Sequence, residues 1–169
     1  DFRYIDLRSK TGAWYPLVNL FGIHLFPTVI VFLACLALFQ VARGGAVHVV
    51  WKCVGLLVGG IGIWLEWLAD KQLAAHRARD DRQPGEMLQT GIWGVIRYPN
   101  YLGEMLFWWG VALCGLGAGG GWLMILGAIA MVAMFTGATI RMKDQHMAER
   151  YPDFVEYAKR VPAFITKIG

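Results

Sequence analysis

The chain has 169 residues, of which 57% are hydrophobic and 17% charged, with a formal net charge of +4. A soluble domain carries about 25% charged residues, and a disordered chain needs low hydrophobicity with high net charge, so neither class fits. Three cysteines are too few for a small disulfide-stapled scaffold.

The chain starts at Asp1, and residues 1–8 (DFRYIDLR) read like a cytoplasmic loop leading into a helix. Without a signal peptide, the expectation is a single membrane-embedded domain over 1–169, the C-terminal part of a longer protein. Between Lys10 and Arg43 lie 32 residues with no Asp, Glu, Lys or Arg, and between Glu104 and Arg141 lie 36 more. A spanning helix needs about 20 apolar residues, and its backbone must be bonded within the segment. The first predicted span is Leu17–Ala42 and the second Val47–Ala69. The 36-residue gap is too long for one span. The glycines at 115, 117, 119, 120 and 121 suit a hairpin, dividing it into spans at Pro99–Leu116 and Trp122–Ile140. The expected fold is an all-α, multi-pass transmembrane bundle of about four spans, with cytoplasmic loop and tail helices.

Lys and Arg set the orientation. The N-terminal segment, the loop 70–98 and the tail 141–169 together hold 14 of them, and the opposite side holds only Arg43 and Lys52. Both chain ends are therefore expected in the cytoplasm, in an integral protein of a bacterial inner membrane. The positive charge reports topology and gives no case for nucleic acid. Cys35, Cys53 and Cys114 lack C-x-x-C spacing and read as buried small hydrophobes. No metal site is expected.

Polar residues at a membrane edge are costly and usually functional. Glu66 and Asp70 are four apart on one helix face, with Arg77 two turns further on. Pro99 suits the first residue of a helix, and a helix start offers free N–H groups and a positive dipole end. One turn in, Asn100, Tyr101 and Glu104 bring together an amide, a phenol and a carboxyl, just beyond Arg97. In the tail, Arg141, Tyr157 and Arg160 are expected to fold back over this site. Arg150, Lys159 and Lys167 are expected to meet anionic lipid headgroups, and His146 suits the surface equally. Arginines bind phosphate bidentately and tyrosines stack on bases. The pattern suits a cytoplasm-facing pocket for a nucleotide cofactor, although no G-x-G-x-x-G or P-loop is present.

The residues Leu65-Glu66, Ala69-Asp70 and Gln72, then Gly91-Ile92-Trp93, then Arg97-Tyr98-Pro99-Asn100-Tyr101-Leu102-Gly103-Glu104, and the tail from Tyr157 to Ile165 resemble the steroid 5-alpha-reductase C-terminal superfamily, and within it the bacterial DUF1295 group. Arg3-Tyr4, Leu7-Arg8 and Thr11-Gly12 resemble the loop before that region. The resemblance implies a multi-pass reductase that uses NADPH to deliver hydride to a conjugated carbon–carbon double bond in a sterol-like or other lipid. By position it places Glu66, Asp70, Arg77, Asn100, Glu104 and Arg141 at the cofactor, with Asn100 and Glu104 near the nicotinamide. Tyr157 and Arg160 are carried over from the tail. With Arg97 and Tyr101 added from the helix-start block, these ten residues are the expected cofactor-binding set. The family's proton-donating Tyr/Glu pair lies in earlier helices, so no catalytic acid is assigned. Tyr98 departs from the histidine that relatives often carry, and the tail lacks the histidine-rich stretch of the steroid enzymes. The sister isoprenylcysteine and phospholipid methyltransferases have a similar Arg-His-Pro block and imply S-adenosylmethionine instead. Asn100 and Glu104 favour the reductases. A non-enzymatic membrane scaffold is the third class.

Overall fold

A computed structural model describes residues 2–45 and 48–164. The expected start of the second span at Val47, Ile165 and Lys167 of the tail, Asp1 and the side chain of Arg3 lie outside the described residues. Helix α1 covers Phe2–Thr11, and α2 covers Tyr15–Val18. A π-helical stretch, Asn19–Leu25, joins α2 to α3 (Phe26–Arg43). Then come α4 (Val49–Arg77) and α5 (Pro99–Gly117). Helix α6 (Leu126–Met134) passes through a second π stretch, Phe135–Thr139, into α7 (Ile140–Arg150). A short α8 (Phe154–Arg160) closes the described chain. No strand occurs among the described residues.

The architecture is an all-α membrane bundle. Among the described residues, three helical stretches are long and apolar enough to cross a bilayer: Leu7–Arg43, Val49–Arg77 and Trp122–Arg150. Their outer faces carry bare apolar side chains, with Val50 73%, Leu56 71% and Phe32 65% exposed, as a surface solvated by lipid requires. The expected third span, α5, is a 19-residue helix of about 28 Å. It runs antiparallel to α4 between the same two ends, but Asn100 and Glu104 in its first turns leave it less apolar than the other three. Among the described residues three helices therefore qualify by length and composition on their own, and α5 crosses the same layer as the inner helix of the bundle.

Small residues allow the α4–α5 contact. Gly55 faces Gly110 and Cys114, Gly59 faces Gly110, and Gly62 faces Gly103 and Phe107. A Cβ on Gly110 would lie 2.5 Å from the Gly59 nitrogen and 2.6 Å from the Gly55 carbonyl, so only glycine permits this approach. Lipid offers no hydrophobic drive between helices, so close backbone packing takes that role. Helices α3 and α6 pack on the other flank of α5, with Ala34 against Gly127 and Ala37 against Gly115.

The hairpin after α5 is shorter than its glycines suggest. Gly115 and Gly117 are helical, and Gly117 packs on Lys52 and His48. The turn uses only 118–121, with Gly119 and Gly121 at φ +81° and +66°. All three thiols are free; Cys35 and Cys114 are half-buried rather than buried, and Cys53 is exposed, because its face of α4 looks outward into lipid.

Candidate functional site

Helix α4 has 29 residues and is about 43 Å long, whereas the hydrocarbon core is about 30 Å thick. Its last turns therefore project past the apolar layer. Around them the loop 78–90, the 3₁₀ turn Gly91–Gly94, the start of α5, α7 and α8 enclose a cavity of about 550 Å³, a normal size for a small-molecule site.

The walls are held by specific bonds. Gln72 Oε1 accepts the Ile92 N–H at 3.0 Å. Gly91, at φ +62°, lies so close to the Gln72 amide that any side chain there would collide with it. The Trp93 indole donates to the Ala69 carbonyl at 3.1 Å, and the Tyr157 hydroxyl donates to the Trp93 carbonyl at 2.6 Å. The Arg97 and Tyr98 N–H groups donate to the Pro162 and Ala163 carbonyls at 2.8 and 3.2 Å. Arg97 Nη1 donates to the Ala158 carbonyl at 3.1 Å, and its Nη2 meets Asp144 at 3.1 Å. The Tyr98 hydroxyl donates to the other Asp144 oxygen at 2.6 Å. Asp144 therefore latches α7 to the start of α5, and Arg97 ties both to the end of α8. Burial first, then the Asp144 hydrogen bond, pushes the Tyr98 phenol well above its ordinary value. Burial pushes Tyr157 up to about 12. Both phenols remain protonated donors at neutral pH.

Five buried side-chain atoms among the described residues have no hydrogen-bond partner: Asn19 Oδ1, His76 Nε2, Arg82 Nε, Arg97 Nε and Asn100 Oδ1. Four of these five residues line this one cavity. An unmet buried polar group costs about 1–3 kcal/mol, and clustered exceptions call for an explanation. The lining also holds Arg77, Arg82, Arg97, Lys143 and Arg150 against a single carboxylate, Glu86. Glu86 is itself occupied by Arg79 at 2.9 Å. The Gln83 N–H and Arg79 hold the Glu86 carboxyl below its ordinary value. The cavity is thus a cationic site with polar groups waiting for partners, suited to an oxygen-rich anion.

Of the ten residues expected from the sequence, five line the cavity: Arg77, Arg97, Asn100, Tyr101 and Tyr157. Glu104 faces a second, neighbouring cavity, and Glu66 packs beside Gly103 at the α4–α5 contact. Asp70 and Arg141 are exposed and line neither cavity. Arg160 is also exposed and bonds Gln89 at 2.9 Å. The expected stripe of Glu66, Asp70 and Arg77 does share one continuous helix, but only its last member reaches the cavity. Arg150, expected at lipid headgroups, lines the cavity instead, as does His146. Lys159 is exposed and pairs with Glu156 at 3.6 Å.

The sequence reading missed His76, which is 8% exposed, and Asp144, Lys143 and Met147. A signal for His76 was present. The buried stripe of α4 runs Gly55, Gly59, Gly62, Leu65, Ala69 and then His76, at spacings of three, four and seven that define one helix face. Among the described residues no group of three or more His, Cys, Asp or Glu is placed to hold a metal ion.

The chain is similar to an uncharacterized protein, C594.04c, of Schizosaccharomyces pombe, at 26% identity over 99% of this chain and 55% of the relative. It is 30% identical to the cobalt-zinc-cadmium resistance protein CzcN of Cupriavidus metallidurans over 52% of this chain and 39% of that protein. It is 27% identical to the nickel-cobalt-cadmium resistance protein NccN of Alcaligenes xylosoxydans over 70% of this chain and 54% of that protein. The chain thus spans about half the length, or less, of these relatives. No solved structure matches it at a significant level. The model of the family described as "Protein of unknown function (DUF1295)" matches residues 1–161, and the chain belongs to that family.

Proposed function

We propose that this chain forms the cofactor-binding part of a membrane-embedded, NADPH-dependent reductase that acts on a conjugated double bond in a lipid. The observation that carries this reading is that four residues, each with an unpartnered buried polar atom, line one cation-rich cavity. The donor set fits the cofactor. Arg77, Arg82 and Arg150 would hold its phosphates, and Arg82 Nε and Arg97 Nε each keep a donor free for an anionic oxygen. Asn100 supplies an amide for the polar end of the nicotinamide, and the Tyr101, Trp93 and Tyr157 rings supply flat apolar surface. When bound, NADPH supplies hydride to the lipid. Resemblance to the steroid 5-alpha-reductase C-terminal superfamily supports the same reading.

The charge of the cavity favours this reading over the methyltransferase one. S-adenosylmethionine carries a sulfonium cation, which five lysines and arginines would repel, whereas NADPH brings three phosphate groups. Its orientation follows from the positive-inside rule: the cavity and both chain ends face the cytoplasm of a bacterial inner membrane.

Thermal unfolding of the purified protein with NADPH, NADH or S-adenosylmethionine tests the proposal, because a ligand bound only to the folded state raises Tm by mass action. Stabilisation by NADPH above the other two is the expected result. Stabilisation by S-adenosylmethionine alone moves the chain to the methyltransferases. No shift with any ligand favours a non-enzymatic scaffold.

A further inference from the structure

A second cavity, of about 560 Å³, adjoins the first, and Tyr101 and Lys143 line both. Tyr101 forms the partition. Its ring stacks on Tyr98 at 5.4 Å and leans on Phe135 at 4.9 Å. Apart from Tyr101, Glu104, Thr139 and Lys143, the lining is apolar. The Thr139 hydroxyl is occupied by the Met134 carbonyl at 3.3 Å.

Both long walls of this slot are formed around π-helical turns. Val18, Gly22, Ile23, Phe26 and Pro27 come from in and around the Asn19–Leu25 stretch, and Met134, Phe135, Ala138 and Thr139 from in and around Phe135–Thr139. A π-turn is rare, and it appears frequently at functional sites. The space in front of Gly22 is open, since a Cβ there would meet nothing within 4 Å. Both walls belong to stretches long and apolar enough to cross a bilayer, so an occupant reaches the slot through a hydrocarbon medium.

We propose that this slot binds the substrate, a long-chain lipid with a carbonyl or carboxyl head. Its chain lies along the two π-helical walls, and its head reaches Tyr101, Glu104 and Lys143 against the first cavity. The assignment names the substrate site of the reading given above and rests on it. The polar groups gather at the end next to the first cavity, so the lipid's reactive carbons lie beside a ligand held there. Glu104 serves the lipid head in this arrangement.

The test uses the whole protein in lipid nanodiscs and a palmitate carrying a mid-chain diazirine. After irradiation, the label is mapped by mass spectrometry. Enrichment at 18–27 and 134–142 is expected, with at least a tenfold loss in Gly22→Phe and in Ala138→Phe on the opposite wall. The NADPH-induced rise in Tm should persist in both variants, which also shows that they fold. Label spread over the outer face at Leu56, Leu57 and Ile63 without enrichment in the slot would overturn the proposal. So would slot labelling that neither variant reduces. Slot labelling without any NADPH effect on the unsubstituted protein supports the lipid site and refutes the cofactor reading. An NADPH effect without slot labelling does the reverse.

Discussion

The Asp144 latch makes the cavity depend on a single carboxylate. Asp144 accepts from the Tyr98 hydroxyl at 2.6 Å and from Arg97 at 3.1 Å. The Arg97 side chain is 11% exposed and the Asp144 side chain 31%. Tyr98→Phe removes one hydrogen bond to a charged group, worth about 1.5–3 kcal/mol. Asp144→Ala removes both contacts. A fully buried pair broken on one side costs about 3–5 kcal/mol, but Asp144 is partly solvated and Arg97 keeps its bonds to the Ala158 and Val161 carbonyls. The expected loss is therefore about 2–3 kcal/mol, close to that of Tyr98→Phe. The double variant should cost scarcely more than Asp144→Ala, since the two residues share one interaction. The loss should be local, because α8 docks through this corner. Limited proteolysis should cut near 151–153 at least tenfold faster in Asp144→Ala, and the NADPH-induced Tm rise should fall by more than half. Unchanged cleavage together with an unchanged ligand effect would refute the idea that the latch holds the cavity wall.

Asn100→Ala and Arg77→Ala should each weaken NADPH binding by about 1–3 kcal/mol, the cost of leaving a buried partner unpaired; unaltered affinity in both, measured by titration, would remove them from the site. The phenols predict a pH dependence. Folding raises the Tyr157 value from about 10 to about 12, so its stabilising contribution is full below pH 10 and is lost as pH rises toward 12. Tyr98 behaves alike with a still later loss. With Tyr98→Phe and Tyr157→Phe as references, absorbance at 295 nm should show both phenols still protonated in the folded protein at about pH 11; ionisation of either near pH 10 would contradict the burial argument. Gly110→Leu should force α4 and α5 apart, since the added carbon meets backbone and not a flexible side chain. Overpacking of this kind costs about 1–3 kcal/mol, visible as a lower Tm in detergent, whereas Gly60→Leu, which faces open space, should be near neutral.

Both ends of α5 were legible, because each is marked by a residue with a steric reason. Pro99 starts it, and the glycine turn ends it. The ends of α4 and α7 were underestimated because hydropathy marks where the apolar layer stops, and a polar helix can continue past it. That continuation delivers His76, Lys143, His146 and Arg150 to the cavity. The site was half legible for the same kind of reason. Spacing along one helix put Asn100 and Tyr101 side by side, and both line the cavity, whereas Arg141, expected to fold back over the site, is exposed and lines neither cavity. The docking of the tail rests on backbone carbonyls at Pro162 and Ala163, which leave no mark in residue type. The π stretches were invisible for a similar reason, since a change from one backbone hydrogen-bond ladder to another has no composition of its own.

Those π stretches carry a consequence for how the chain tolerates length changes. A helical turn that holds an extra residue shifts the angular phase of everything after it by about 100° relative to a regular α-helix. In the segment from Asn19 to Leu25 this shift sets which side of α3 meets α5 and α6, and in Phe135–Thr139 it sets which side of α7 brings Asp144 to Tyr98. Deleting Gly22 or Gly137, each with open space around it, would restore an unbroken α-helix and keep every later contact in phase, because the lost residue is the one that the wide turn absorbs. A one-residue deletion is therefore absorbed at these two points, whereas the same deletion in the regular part of either helix turns every later contact by about 100°.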